Sequence, residues 1–345
     1  MSKIKCATIG LGMGKSHIKG FQSRENAEVV AICDLNEELL KSVGDQFGIS
    51  SQYTDVTAML ETEKPDVVSI ATPNSLHKPL TIQALEAGAH VICEKPMAMN
   101  ADEAREMQAV ADRLGKRLMI NFSYRFTEAA WGLKQQVERG LLGEIYSGRT
   151  RWLRRWGMPK FGSWFGRKAL SGGGPLIDLG VHRLDLAMWL SGYPKPKYVL
   201  AQTYDHLAQE RARAEGVEFD VEDLASAMIT FENGMSLQVE ASWASHIQEN
   251  EQMETTLLGT RGGLRQRNLD GGYAFQGHIF SSDQGSKLDT EVVGGNSPGS
   301  SMGHLIDCIE RDQPHTASGE EGIVIMEVLD AIYASAAKGG EPVKC

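Results

Sequence analysis

Short apolar runs alternate with amphipathic stretches over the first third of the chain. The runs are KCATIGLG (5–12), EVVAICD (28–34), DVVSIATP (66–73), HVICEKP (90–96) and KRLMINF (116–122). They are rich in β-branched residues and apolar on both faces, as strands of a sheet covered on each side are. Between them the pattern lengthens to a helical period over 36–47, 76–87 and 101–114. Asn100 suits the N-cap of the last of these, with Glu103 three residues on as in a capping box. Strand and helix in alternation predict right-handed crossovers and a doubly wound, Rossmann-type α/β domain over residues 1–122.

The rhythm changes at residue 123. A helix is predicted over 127–139, then a strand in GEIYSGRTRWLRRW (143–156), a glycine-rich loop and another helix. LASAMITFENGMSLQVEASWA (224–244) alternates apolar and polar residues, with FENGM (231–235) as a hairpin turn. Further strands are predicted in METTLLG (253–259), GLRQR (263–267) and LDTEVV (288–293), and the chain closes with a helix near 320–338. SSDQGSK (281–287) and GGNSPGSS (294–301) read as exposed loops. Strands in succession imply a second, α+β domain over 123–345 with a large open, mostly antiparallel sheet. An open sheet leaves one face without helices, so a homo-dimer or homo-tetramer through that sheet is expected.

Composition narrows the function classes. At about 150 residues per domain, 345 residues make roughly two domains. Apolar residues at 41% and charged residues at 23% are ordinary globular usage and exclude a disordered or fibrous chain. The formal net charge of −10 argues against nucleic acid or an anionic membrane as a partner. No run of about 18 apolar residues is present to span a bilayer. The five cysteines are scattered without a CxxC pair, and no His, Cys or carboxylate cluster has metal-ligand spacing. The expectation is a soluble, reduced, cytoplasmic protein without a metal.

The first strand runs into Gly10-Leu11-Gly12-Met13-Gly14-Lys15 and then a helix. Glycines there let a pyrophosphate approach backbone N–H groups at a helix N-terminus. The spacing departs from GxGxxG, because the third glycine comes one residue early and Lys15 stands in its place. The expected result is a tighter loop, with Met13 and Lys15 beside the pyrophosphate. Asp34 ends the second strand, where a ribose hydroxyl pair needs an acceptor and a 2′-phosphate is repelled. Leu35 and Asn36 offer that phosphate no guanidinium, so NAD is favoured over NADP.

The third and fourth runs end in Thr72-Pro73-Asn74-Ser75-Leu76-His77 and Glu94-Lys95-Pro96, at the carboxyl ends of parallel strands, where open sheets bind ligands. Further on comes Gly172-Gly173-Gly174-Pro175-Leu176-Ile177-Asp178-Leu179-Gly180-Val181-His182-Arg183-Leu184-Asp185. Taken together, the glycine turn, TPNxxH, EKP and GGGxxxDxGxHxxD resemble the Gfo/Idh/MocA family of oxidoreductases over roughly residues 5–190. The resemblance implies a nicotinamide-dependent enzyme acting on a polyhydroxylated substrate, a sugar or a cyclitol such as an inositol. It also implies Lys95, Asp178 and His182 as catalytic residues, and Thr72, Pro73, Asn74, His77 and Glu94 near the cofactor.

The residue chemistry agrees with this. His182 carries the one side-chain type that titrates unperturbed near neutral pH, which suits the base for a hydroxyl proton. Lys95 suits a hydrogen bond to the same oxygen, and Asp178, four residues before His182, suits orienting the imidazole or a substrate hydroxyl. Tyr124, Arg125, Trp156 and Trp164 are candidate substrate contacts, while Asp185 is read equally as a structural partner. Two other activities fit the same motifs: glycoside cleavage through transient oxidation, and nucleotide sensing without turnover. Retention of Lys95, Asp178 and His182 weighs against a sensor.

Overall fold

The computed structural model describes residues 3–345, which form two compact units. One comprises the residues up to Asn121 together with Pro298–Val324, and the other Phe122–Ser297 with Ile325–Cys345.

The first unit is built on strands β1 (Ile4–Ile9), β2 (Ala27–Cys33), β3 (Gln52–Tyr53), β4 (Val67–Ile70), β5 (His90–Cys93) and β6 (Leu118–Ile120). Every pairing is parallel and the order is β3-β2-β1-β4-β5-β6, the doubly wound arrangement. Helices α1 (Leu11–Gln22), α2 (Glu37–Phe47), α3 (Val56–Glu63), α4 (His77–Glu86) and α5 (Ala101–Leu114) make the crossovers. The strand centres are buried throughout, and Cys6, Cys33 and Cys93 serve there as small apolar side chains. Asn100 caps α5 by accepting from the Glu103 N–H at 2.9 Å, while the Glu103 carboxylate reaches back to the Met99 N–H at 3.2 Å.

In the second unit, α6 (Glu128–Glu138) and β7 (Ile145–Arg154) come first, then α7 (Lys168–Ser171), α8 (Val181–Leu190), β8 (Pro196–Tyr204) and α9 (His206–Glu215). Five strands follow in sequence: β9 (Leu224–Phe231), β10 (Ser236–Ser242), β11 (Glu251–Gly259), β12 (Gly263–Asn268) and β13 (Phe275–Asp283). With β14 (Ser286–Val292) and the short β15 (Val343–Lys344) they form one sheet of order β14-β13-β12-β11-β7-β10-β9-β8-β15. Only β7 and β10 run parallel. One face is apolar and buried, carrying Val199, Ala227, Ile229, Val239, Trp152, Leu257 and Leu264. The register sets Arg149, Arg151, Gln238 and Glu254 on the opposite face, beside exposed Tyr198 and Leu200. That face is thus a mixed ladder and not the apolar surface expected of it; Arg151 pairs with Glu254 at 3.0 Å across it.

Two differences from the expected organisation follow. The expected loop 281–287 is the tight end of the β13–β14 hairpin, with positive φ at Gln284 and Gly285. The segment Pro298–Val324 belongs to the first unit and not to a second domain running unbroken from 123 to 345. It brings α10 (Ser301–Glu310) against α1, so closely that a Cβ on Gly20 would lie 2.9 Å from the Met302 Cβ. The closing helix α11 (Gly319–Ala337) starts in this segment. Among the described residues no helix is long and apolar enough to cross a membrane, and no group of His, Cys, Asp and Glu is arranged for a metal.

Candidate functional site

Each of the first three glycines has its own reason. Gly10 sits at φ 85°, and a Cβ there would meet the Ala71 carbonyl oxygen at 2.5 Å, so only glycine fits between β1 and the end of β4. Helix α1 starts at the next residue. Gly12 is exposed, with nothing within 4 Å of its Cβ position, which leaves the backbone open to a ligand. Gly14 faces the strand: its Cβ would lie 2.7 Å from Thr8 Cγ2, so it supplies the close helix–strand packing. The early third glycine is accommodated in this way, and Lys15 is left half-buried on the helix.

Asp34 fastens this turn. Its Oδ2 accepts from the Leu11 N–H at 2.8 Å and its Oδ1 from the Asn36 N–H at 2.9 Å. Each oxygen keeps a further lone pair for a hydroxyl donor. Leu35 beside it is 85% exposed and Met13 is 60% exposed, two large apolar side chains left to solvent around the open turn. An exposed glycine at a helix N-terminus, an acceptor carboxylate and a flanking apolar pair fit a dinucleotide.

At the end of β4, Thr72 and Pro73 are half-buried and Asn74 is buried at the start of a short 3-10 turn. His77 is fully buried, its Nδ1 2.7 Å from the Pro96 carbonyl and its Nε2 3.0 Å from the Thr72 carbonyl. The ring therefore ties TPN to EKP. Burial lowers its pKa, against the pull of the two carbonyls.

Glu94 is likewise interior. Its Oε1 accepts from His17 Nε2 at 2.8 Å and from Asn121 Nδ2 at 2.6 Å, and its Oε2 accepts from the Lys95 N–H at 3.1 Å. Burial works to raise the pKa of this carboxyl, but the His17 hydrogen bond and charge, the Lys95 charge and the Asn121 amide outweigh it and hold it at about 2. The residue ordered by Glu94 is the neighbouring Lys95.

In the second unit the glycine run is packed from behind. A Cβ on Gly173 would overlap the Tyr333 hydroxyl, and one on Gly174 the Glu222 carbonyl. The Glu222 carboxylate accepts from the Gly174 N–H at 2.8 Å, the Leu176 N–H at 3.2 Å and the Tyr333 hydroxyl at 2.9 Å. Burial raises the pKa of both Glu222 and Tyr333. From here the chain makes a π-helical turn, Leu176–Gly180, and continues as α8, every residue of which is buried. Asp178 and His182 therefore span a junction of two helix types and not one regular helix.

Asp178 Oδ2 accepts from Trp243 Nε1 at 3.0 Å, which fixes the carboxylate. His182, 8% exposed, lies edge-on to Tyr124 with ring centroids 4.8 Å apart, and 5.7 Å from Trp152. Trp152 Nε1 donates to Glu251 Oε1 at 2.6 Å, and Arg154 Nε to the same oxygen at 2.7 Å. Tyr273, 59% exposed, stands 6.3 Å from Trp152. Half-buried Tyr124 has its pKa raised, chiefly by desolvation.

Three of the expected substrate contacts stand outside the ring cluster at His182. Arg125 is fully buried, donating to Asp185 at 2.8 and 2.5 Å and to the Tyr193 hydroxyl at 2.6 Å, so it is half of an interior ion pair. Trp156 stacks on His246 with centroids 6.2 Å apart, beneath the Arg211 guanidinium, and Trp164 stacks on Phe165 at 4.0 Å. Neither tryptophan joins the rings around His182. Trp152, Trp243, Glu251 and Tyr273 were not singled out from sequence; alternation in 143–156 was the only available sign, since it points Trp152 inward.

A family profile described as oxidoreductase family, NAD-binding Rossmann fold, matches residues 4–122, and the GFO/IDH/MocA C-terminal domain matches 131–265. D-glucoside 3-dehydrogenase of Escherichia coli (strain K12) is 36% identical over 348 residues, 98% of this chain and 97% of that protein. Levoglucosan dehydrogenase, solved in complex with NADH and levoglucosan, is 26% identical with TM-score 0.87 over 99% of both chains. Aldose-aldose oxidoreductase from Caulobacter crescentus, solved with glycerol, is 26% identical with TM-score 0.84 over 99% of this chain and 100% of that one.

Proposed function

The chain belongs to the GFO/IDH/MocA oxidoreductase family with an NAD-binding Rossmann fold, and from that premise we propose an NAD-dependent dehydrogenase of sugars. Its substrate is a sugar ring with a free secondary hydroxyl, the 3-hydroxyl of a glucoside first among them, in keeping with the 36% identical glucoside 3-dehydrogenase. Cyclitols are a secondary class. The observation that carries the reading is His182, a titratable side chain held against the aromatic rings of Tyr124 and Trp152.

NAD, when bound, supplies the acceptor for the hydrogen that leaves carbon. Gly10, Gly12, Met13, Gly14, Lys15, Asp34 and Leu35 would hold its adenosine and pyrophosphate, with the Asp34 carboxylate as acceptor for the ribose hydroxyls and the exposed Met13 and Leu35 as apolar flanks. His182 takes the hydroxyl proton. Lys95, with its backbone anchored by Glu94, stabilises the developing alkoxide charge, and Asp178, anchored by Trp243, orients a hydroxyl or the imidazole. Exposed Tyr273 and half-buried Tyr124 offer the ring faces on which a sugar stacks, the role expected of Trp156 and Trp164. A homo-oligomer through the open sheet face completes the reading, with exposed Tyr198, Leu200 and Tyr204 as its apolar contacts; a monomer in light scattering would contradict it.

NADH formation against a panel of glucosides, free aldoses and inositols tests the function. Expected are net NADH with pyranosides, and a loss on the order of 10²–10⁴ in kcat for His182→Ala with NAD affinity kept. Release of an aglycone without net NADH would replace oxidation by elimination. Failure of every sugar and cyclitol to reduce bound NAD would refute the reading.

A further inference from the structure

Lys95 is held by its backbone through a chain of buried side chains drawn from four parts of the first unit. His17 is on α1, seven residues beyond the turn glycine Gly10; Glu94 follows β5, Asn121 follows β6, and Ser301 opens α10. His17 is fully buried, and Glu94, Asn121 and Ser301 are 7%, 6% and 3% exposed. Ser301 Oγ donates to Asn121 Oδ1 at 2.5 Å, which fixes the amide with its Nδ2 toward Glu94. The Glu94 carboxylate, an anion at working pH with a pKa of about 2, forces both of its Oε1 partners to be donors. His17 therefore donates from Nε2, and its buried Nδ1 has no hydrogen-bond partner among the described residues. The same Nε2 lies 3.3 Å from Asn121 Nδ2, the other donor to that carboxylate oxygen. Glu94 in turn spends its second oxygen on the Lys95 N–H.

We propose that His17, with Asn121 and Ser301, is a positioning group for Lys95, acting through the Glu94 carboxylate and tying the lysine to the helix that starts at the dinucleotide turn. A buried carboxylate with three donors has one favoured orientation, and that orientation fixes the backbone from which the Lys95 side chain extends. With one donor removed the carboxylate gains freedom and the ammonium loses its aim, at a cost to the chemical step and not to nucleotide binding. This inference rests on the role given above to Lys95.

The experiment is a double-mutant cycle in the full-length enzyme with NAD and its best sugar. His17→Leu removes the donor at similar bulk, His17→Gln keeps one, and each is made in wild type and in Lys95→Ala. Expected for His17→Leu is a fall of about tenfold in kcat with KM and NAD Kd within twofold, largely restored by His17→Gln. In the Lys95→Ala background the same change should leave the residual rate unaltered. If Lys95→Ala is impaired and His17→Leu costs the same factor in both backgrounds, or moves NAD Kd while sparing kcat, the positioning role is overturned and the role of Lys95 stands. If Lys95→Ala keeps wild-type kcat, the role of Lys95 falls, and the positioning role falls with it. His17→Leu failing to fold would leave His17→Gln against wild type to decide, with unchanged kcat in its support and a tenfold loss against it.

Discussion

Asp34 anchors the Leu11 N–H of the turn, and the proposed function gives the same carboxylate to a ribose. Replacing it therefore changes preference and weakens the turn together. Asp34→Ser with Leu35→Arg should lower kcat/KM for NAD by at least about tenfold and raise that for NADP, by removing repulsion and adding a guanidinium for the 2′-phosphate. Steady-state kinetics with both nucleotides check this, and an unchanged ratio would contradict the assignment. Single residues were legible where the chemistry depends on neighbours in sequence: Asp34 after a strand, Lys95 at a strand end, Asp178 and His182 across a glycine motif. They were not where the partner is remote. Arg125 reads as a candidate substrate contact beside a strand end, yet its carboxylate partner, Asp185, stands 60 residues away. Glu94 and His77 hide their internal partners for the same reason, because His17, Asn121 and Pro96 meet them only in the folded chain.

Helices and strands of the first unit could be read closely, for a parallel sheet covered on both faces leaves continuous apolar runs and its helices carry their own caps. Asn36, Asp55 and Asn100 each accept from a backbone N–H three residues ahead. In the second unit β13 was missed, because FQGHIFSSD mixes glycine and polar residues on a strand near the sheet edge. The π-helical turn had no sequence sign, since it arises from packing of the glycine run against Glu222 and Tyr333. That packing yields a test. Gly173→Ala puts a methyl onto the Tyr333 hydroxyl, so Tm and kcat should both fall, and Tyr333→Phe in the same chain should recover part of the Tm loss by removing the oxygen. Thermal unfolding of the two variants measures this; equal Tm for Gly173→Ala and wild type would mean that the close approach is not limiting.

The whole chain is read least well from sequence at the point where it doubles back, for nothing local to Pro298–Val324 announces that Ser301 and Met302 meet α1 and Asn121. Two histidines make the stability of the first unit sensitive to acid. His90 Nδ1 accepts from the Arg117 N–H at 2.9 Å, and His304 Nε2 from the Thr316 N–H at 3.1 Å, so both rings must stay neutral. Burial lowers each from 6.5 to about 4. Between those values the unfolded chain takes up protons that the folded chain refuses, so this contribution is present above pH 6.5 and is lost as pH falls through 4. Tm should drop across that window and drop less in His90→Asn with His304→Asn; a profile flat in wild type would contradict the two neutral rings. The central claim of the proposed function is that a hydrogen passes from a secondary carbon of a sugar to NAD. A glucoside carrying deuterium at C3 measures that directly. The account predicts deuterium in the reduced nucleotide, a ketone at C3 of the product and a slower kcat/KM for the labelled sugar, with turnover much reduced in Lys95→Ala. Reduced nucleotide without deuterium would contradict it.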